Sequence, residues 1–110
     1  IQVMAIFALG INHKTAPVAL REQVAFAPEQ LPEALRELTT QTSISDAVIL
    51  STCNRTELYF NGSTSQAEQV IAWLAQFHAI DSNELQPHLY LHQNITAAEH
   101  LMQVASGLDS

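Results

Sequence analysis

Cys53 lies in the run Ser51-Thr52-Cys53-Asn54-Arg55-Thr56-Glu57, where every neighbour is polar. A thiol does its chemistry as the thiolate, and a fixed cation nearby favours that form. Arg55, two residues on, offers such a cation. The cysteine stands where an apolar strand ends and the chain turns, and loop positions on a rigid sheet commonly carry reactive groups. A lone cysteine also has a plainer reading, as a small hydrophobe packed in a core. On the residues alone both readings stay open: a nucleophile, or packing.

Arg55 reads either as a solvated surface charge or as a fork that grips a carboxylate or phosphate in two places. Glu57 either partners Arg55 or solvates the edge of the hairpin, and spacing does not decide between them. The five histidines are His13, His78, His88, His92 and His100. His88 and His92 are four apart, but in a loop and strand that spacing does not bring side chains together as a helix would. No third ligand accompanies them, so no metal site is expected. His78 reads as a helix-end residue, where a cation is mildly favoured. His100 sits beside Leu101 and Met102 in a helical stretch and reads as a packing or surface residue. Three Asn-x-Ser/Thr sequons, at Asn54, Asn61 and Asn94, have no meaning without secretion. With three glycines and no Gly-x-Gly-x-x-Gly or Walker pattern, these residues supply no usual dinucleotide site.

The elements that must position these groups follow from periodicity. Val3 to Asn12 is apolar and predicts a buried strand. A short helix is expected from Pro17 to Phe26, and Pro28 opens a second, with Pro32 in its first turn. Leu31, Ala34, Leu35 and Leu38 form its apolar stripe. Asp46 to Ser51 and Leu58 to Asn61 read as strands, with residues 52–56 on the connection between them. Ser65 and Glu68 have capping-box spacing ahead of a helix whose face carries Ala67, Val70, Ile71, Leu74 and Phe77. Leu89 to His92 is the last strand. Thr96 and Glu99 then open a C-terminal helix through Ala98, Leu101, Met102 and Ala105, with Gly107 as its cap. The order gives an α+β fold: a ferredoxin-like β-α-β-β-α-β sheet with helices on one face, plus the C-terminal helix.

The chain has 110 residues, 47% of them hydrophobic, which suits one domain and excludes intrinsic disorder. No apolar run approaches a membrane span, and no secretory signal is visible. One cysteine excludes an intrachain disulfide, so a cytoplasmic location is expected. Four basic and eleven acidic residues give a net charge of -7, the wrong sign for a stand-alone nucleic-acid binder. Met4 reads as a natural start and Ile1 to Val3 as a remnant, and the chain stops at Ser110 directly after a helix-like stretch. These ends lead us to expect a domain excised from a longer enzyme.

Three segments carry a family resemblance. Ala8-Leu-Gly-Ile-Asn-His-Lys-Thr-Ala-Pro-Val18 resembles the opening of glutamyl-tRNA reductases. Ser51-Thr-Cys-Asn-Arg-Thr-Glu-Leu-Tyr59 is similar to that family's catalytic signature, and His100-Leu-Met-Gln-Val-Ala-Ser-Gly-Leu-Asp-Ser110 to the end of its first domain. The resemblance implies NADPH-dependent reduction of glutamyl-tRNA to glutamate-1-semialdehyde, the committed step of tetrapyrrole (porphyrin) synthesis by the five-carbon route. It implies that residues 1–110 are the N-terminal catalytic domain, with cofactor and dimerisation domains outside the chain. Cys53 would then be the nucleophile that leaves a glutamyl thioester for hydride to reduce. Arg55 would hold the substrate's side-chain carboxylate, Thr52, Asn54 and Ser110 would line the glutamate pocket, and His100 would assist near the reacting centre. The implied partners are glutamyl-tRNA, a second subunit, and glutamate-1-semialdehyde aminomutase. Other domains would grip the tRNA body, which answers the acidic balance of this one. The alternatives are a non-catalytic interaction module with an inert, buried cysteine, and a thioester-forming reductase for another activated acyl group.

Overall fold

Alternation along two neighbouring strands divides the molecule into a helix-covered face and an opposite face. In strand β1 (Ala5–Asn12) the residues Phe7, Leu9 and Ile11 point one way; in β3 (Arg55–Gly62) Thr56, Leu58 and Phe60 do the same. Antiparallel pairing sets Phe7 opposite Phe60 and Leu9 opposite Leu58, and the two phenyl rings stack at 5.3 Å. Strand β2 (Ala47–Ser51) joins the far edge of β3, and β4 (Tyr90–Gln93) joins β1, giving a four-stranded antiparallel sheet in the order β2-β3-β1-β4. This is a computed structural model, and it describes residues 5–94.

The helices pack on the face of Phe7, Leu9, Leu58 and Phe60. Helix α1 (Val18–Val24) buries Val24, and α2 (Leu31–Gln41) buries Ala34 and Leu38. Helix α3 (Thr64–Phe77) buries Ala67, Val70, Trp73 and Leu74 against the same core. A fully buried side chain of this size contributes roughly 1.5–3 kcal/mol, so this shared apolar face holds the sheet flat against its helices. The elements follow the expected order: strand, helices, strand, strand, helix, strand. The expected C-terminal helix, including Thr96, Glu99 and Gly107, lies outside the described residues.

Several boundaries differ from expectation. Pro28–Gln30 is a 3-10 turn, and α2 begins at Leu31 with Pro32 in its first turn. Pro32 has no N–H to bond the carbonyl four residues back, so the preceding turn tightens. The capping box of α3 is Ser63 with Gln66, not Ser65 with Glu68. Gln66 N–H donates to Ser63 Oγ at 3.3 Å, and Ser63 N–H donates to Gln66 Oε1 at 2.8 Å. Either pair has the right spacing; the helix takes the first one available after β3 ends at Gly62. A short helix α4 (Ser82–Leu85), capped by Asp81, also fills the connection to β4, where the sequence reading had no element. Strand β3 starts at Arg55 rather than at Leu58, which bears directly on the site.

Candidate active site

The β2–β3 connection is three residues long: Thr52, Cys53 and Asn54, all exposed. Thr52 N–H donates to Arg55 O at 2.8 Å, closing the hairpin, and Asn54 N–H donates to Thr52 Oγ1 at 3.2 Å. The threonine side chain therefore organises the backbone that displays Cys53. The thiol stands at the tip of the hairpin in contact with solvent. A cysteine buried in the core is thereby excluded.

Arg55 and Thr56 were expected on this connection, yet both are buried strand residues. They pair in register with Asn12 and Ile11 of β1. Hydrophobicity alone places the strand start at Leu58, because Arg55, Thr56 and Glu57 are polar. The ladder continues through them because each finds partners inside. Thr56 Oγ1 lies 3.2 Å from Ser51 Oγ, which also accepts the Phe26 N–H at 2.9 Å. These bonds tie the base of the Cys53 turn to the segment after α1.

Arg55 and Glu57 face away from the helices, and the structure rules out a solvated surface charge. Arg55 Nη1 lies 3.6 Å from Glu57 Oε2, with side chains 2% and 0% exposed. Of the two sequence readings of Glu57, the partner of Arg55 is the one observed. The carboxylate also accepts from Tyr59 Oη at Oε1 (3.0 Å) and from Tyr90 Oη at Oε2 (2.5 Å). A buried carboxylate needs such donors, because isolated it would be neutralised or expelled. Burial and the Glu57 carboxylate together push the Tyr90 hydroxyl far above the usual tyrosine range, so it stays a proton donor. The sequence reading did not single out Tyr59 and Tyr90; their shared sheet face with Glu57, read from strand alternation, was the available signal.

Next to Arg55, β1 ends in a turn organised by Asn12. Its Oδ1 accepts the N–H groups of Lys14 (2.9 Å) and Thr15 (3.2 Å), and Thr15 Oγ1 accepts the Asn12 N–H at 3.0 Å. His88 Nδ1 donates to Thr15 O at 3.0 Å, while His92 rests against the Tyr90 ring. The two histidines thus serve separate contacts. Among the described residues no group of three or more His, Cys, Asp or Glu side chains is placed to hold a metal. His78 caps the end of α3, as expected, but not as a cation: wedged edge-on between Phe26 and Phe77, it is pushed down to about 4 by burial.

Of the site residues named from sequence, Thr52, Cys53, Asn54 and Arg55 are contiguous around the hairpin tip and its first strand pair. His100 and Ser110 lie outside the described residues. Among the described residues neither glycine opens a helix as a phosphate-binding loop would. Gly10 is inside β1, and Gly62 ends β3 ahead of a helix whose first N–H groups are met by the Ser63–Gln66 box. No helix among the described residues is long and apolar enough to cross a membrane.

An α+β domain displaying a solvent-facing cysteine beside a buried, carboxylate-paired arginine is the class that fold and site define. The sequence pattern of the glutamyl-tRNAGlu reductase N-terminal domain matches residues 9–110. The chain is 52% identical over 107 residues to glutamyl-tRNA reductase of Pseudoalteromonas translucida, covering 97% of this chain and 26% of that protein. Against the Pseudomonas aeruginosa reductase it is 55% identical over 107 residues, covering 97% and 25%. Glutamyl-tRNA reductase from Methanopyrus kandleri superposes with a TM-score of 0.73 at 30% identity, over 96% of this chain and 23% of that one. The chain belongs to the glutamyl-tRNA reductase family, as its N-terminal domain. It spans about a quarter of the length of the curated relatives it matches.

Proposed function

We propose that this domain performs the acyl-transfer half of an NADPH-dependent reduction of glutamyl-tRNA to glutamate-1-semialdehyde. The observation that carries the reading is the exposed Cys53 at the hairpin tip, two residues from a buried arginine. The Cys53 thiolate attacks the carbonyl carbon of the aminoacyl ester. A C–S bond forms, the ester C–O bond breaks, and the terminal hydroxyl of the tRNA leaves with the proton the thiol gave up. Thr52 and Asn54 offer hydrogen bonds beside the nucleophile, and Arg55 takes the side-chain carboxylate of the glutamyl group. A guanidinium held out of water attracts an anion more strongly than one on the surface. His100 and Ser110 complete the pocket in this reading. Reduction of the thioester belongs to a nicotinamide-binding domain elsewhere in the protein, in keeping with a sequence that carries no Gly-x-Gly-x-x-Gly or Walker pattern.

The strand order β2-β3-β1-β4, with helices between β1 and β2 and between β3 and β4, supports a ferredoxin-like description of the scaffold. The same reading carries a homodimer, a cytoplasmic location, and an aminomutase partner that takes up the aldehyde. The test is release of free glutamate from glutamyl-tRNA by the 110-residue chain, with and without NADPH. Slow release that is independent of NADPH and lost in Cys53→Ser supports the division of labour. Formation of glutamate-1-semialdehyde by this chain alone would overturn it.

A further inference from the structure

Gly10 is the one residue of β1 that pairs in register with both Glu57 of β3 and Tyr90 of β4. A Cβ at Gly10 would lie 2.3 Å from Thr56 O and 2.9 Å from Glu57 Cγ, so the glycine is needed for close approach. The space above it is where the Tyr90 hydroxyl, from one side of β1, reaches the Glu57 carboxylate on the other. Tyr90 and Arg55 meet the same oxygen, Oε2, while Tyr59 occupies Oε1.

We propose that Tyr90 is a positioning residue: by holding Glu57 across Gly10 it fixes the Arg55 guanidinium for the side-chain carboxylate of the glutamyl group. The inference rests on the reading of Arg55 given above. Two tyrosine hydroxyls already share the negative charge of Glu57. Glu57 thus orients the guanidinium. Without the Tyr90 bond the carboxylate turns towards Tyr59 or closes on Arg55, and either change misplaces the fork.

The experiment uses the full-length reductase and compares kcat/KM for glutamyl-tRNA with that for glutaminyl-tRNA. A merely structural residue lowers both and leaves the ratio unchanged. Tyr90→Phe is expected to reduce the ratio about ten-fold or more, as loss of a hydrogen bond to a charged group does. Glu57→Gln, which keeps the side-chain shape and drops the charge, is the second variant and should reduce it likewise, should Tyr90→Phe fold poorly. Arg55→Lys separates the layers. If it alone reduces the ratio, while Tyr90→Phe and Glu57→Gln do not, the positioning role is overturned. If Arg55→Lys leaves the ratio intact, the reading of Arg55 itself falls.

Discussion

Arg55 and Glu57, two residues apart on β3, form an ion pair that is almost wholly buried on the sheet face away from the helices. Removing one member of a buried ion pair costs about 3–5 kcal/mol in comparable cases. Glu57→Ala should therefore unfold the 110-residue chain at markedly lower urea than the wild type. A loss below about 1 kcal/mol, the size seen for exposed pairs, would show that water reaches the pair.

Gly10→Ala is expected to be destabilising despite the good strand setting. The added methyl meets the backbone carbonyl of Thr56, which cannot swing aside as a side-chain tip would. Overpacking of this kind costs about 1–3 kcal/mol, read from the shift of the urea midpoint. A neutral substitution would mean that β1 and β3 separate more easily than their pairing implies.

His78 gives the stability a pH signature. In the fold it stays neutral down to about 4 because burial disfavours the cation, whereas the unfolded chain takes up a proton near 6.5. Its Nε2 has no hydrogen-bond partner among the described residues. The unfolded state therefore binds more protons between these values, and stability falls as pH drops through that window. The contribution is intact above 6.5 and flattens below about 4. His78→Phe should gain stability relative to wild type as pH falls from 6.5 to 4. A difference between the two proteins that does not change with pH would contradict the assignment.

The apolar half of the fold was legible because it obeys period. The stripe of α2 marks its helix's buried face, and the unbroken apolar run of β1 marks a buried strand. The other face was not legible, because its content is polar and its partners come from three strands. Arg55, Thr56 and Glu57 look like loop residues in isolation; only pairing with β1, and the reach of Tyr90 across Gly10, makes them interior. The capping box of α3 was misplaced by two residues because Ser63–Gln66 and Ser65–Glu68 share one spacing, and the end of β3 decides between them. Cys53 and its neighbours were legible through their segment, and the turn that displays the thiol agrees with the polar run around it.

Cys53→Ser in the full-length protein should cut turnover by on the order of a thousand-fold or more, as removal of a covalent nucleophile does elsewhere. The fold should be little changed, since the side chain is exposed and packs in no core. Near-normal turnover in the variant would take Cys53 out of the mechanism.

The central claim, that Cys53 accepts the glutamyl group, is tested most directly by mass spectrometry of the full-length reductase mixed with glutamyl-tRNA in the absence of NADPH and quenched in acid. The account predicts a glutamyl adduct on the peptide that contains Cys53, labile to hydroxylamine as a thioester is, and absent from Cys53→Ser. An adduct on another residue, or turnover on addition of NADPH with no adduct formed beforehand, would contradict it.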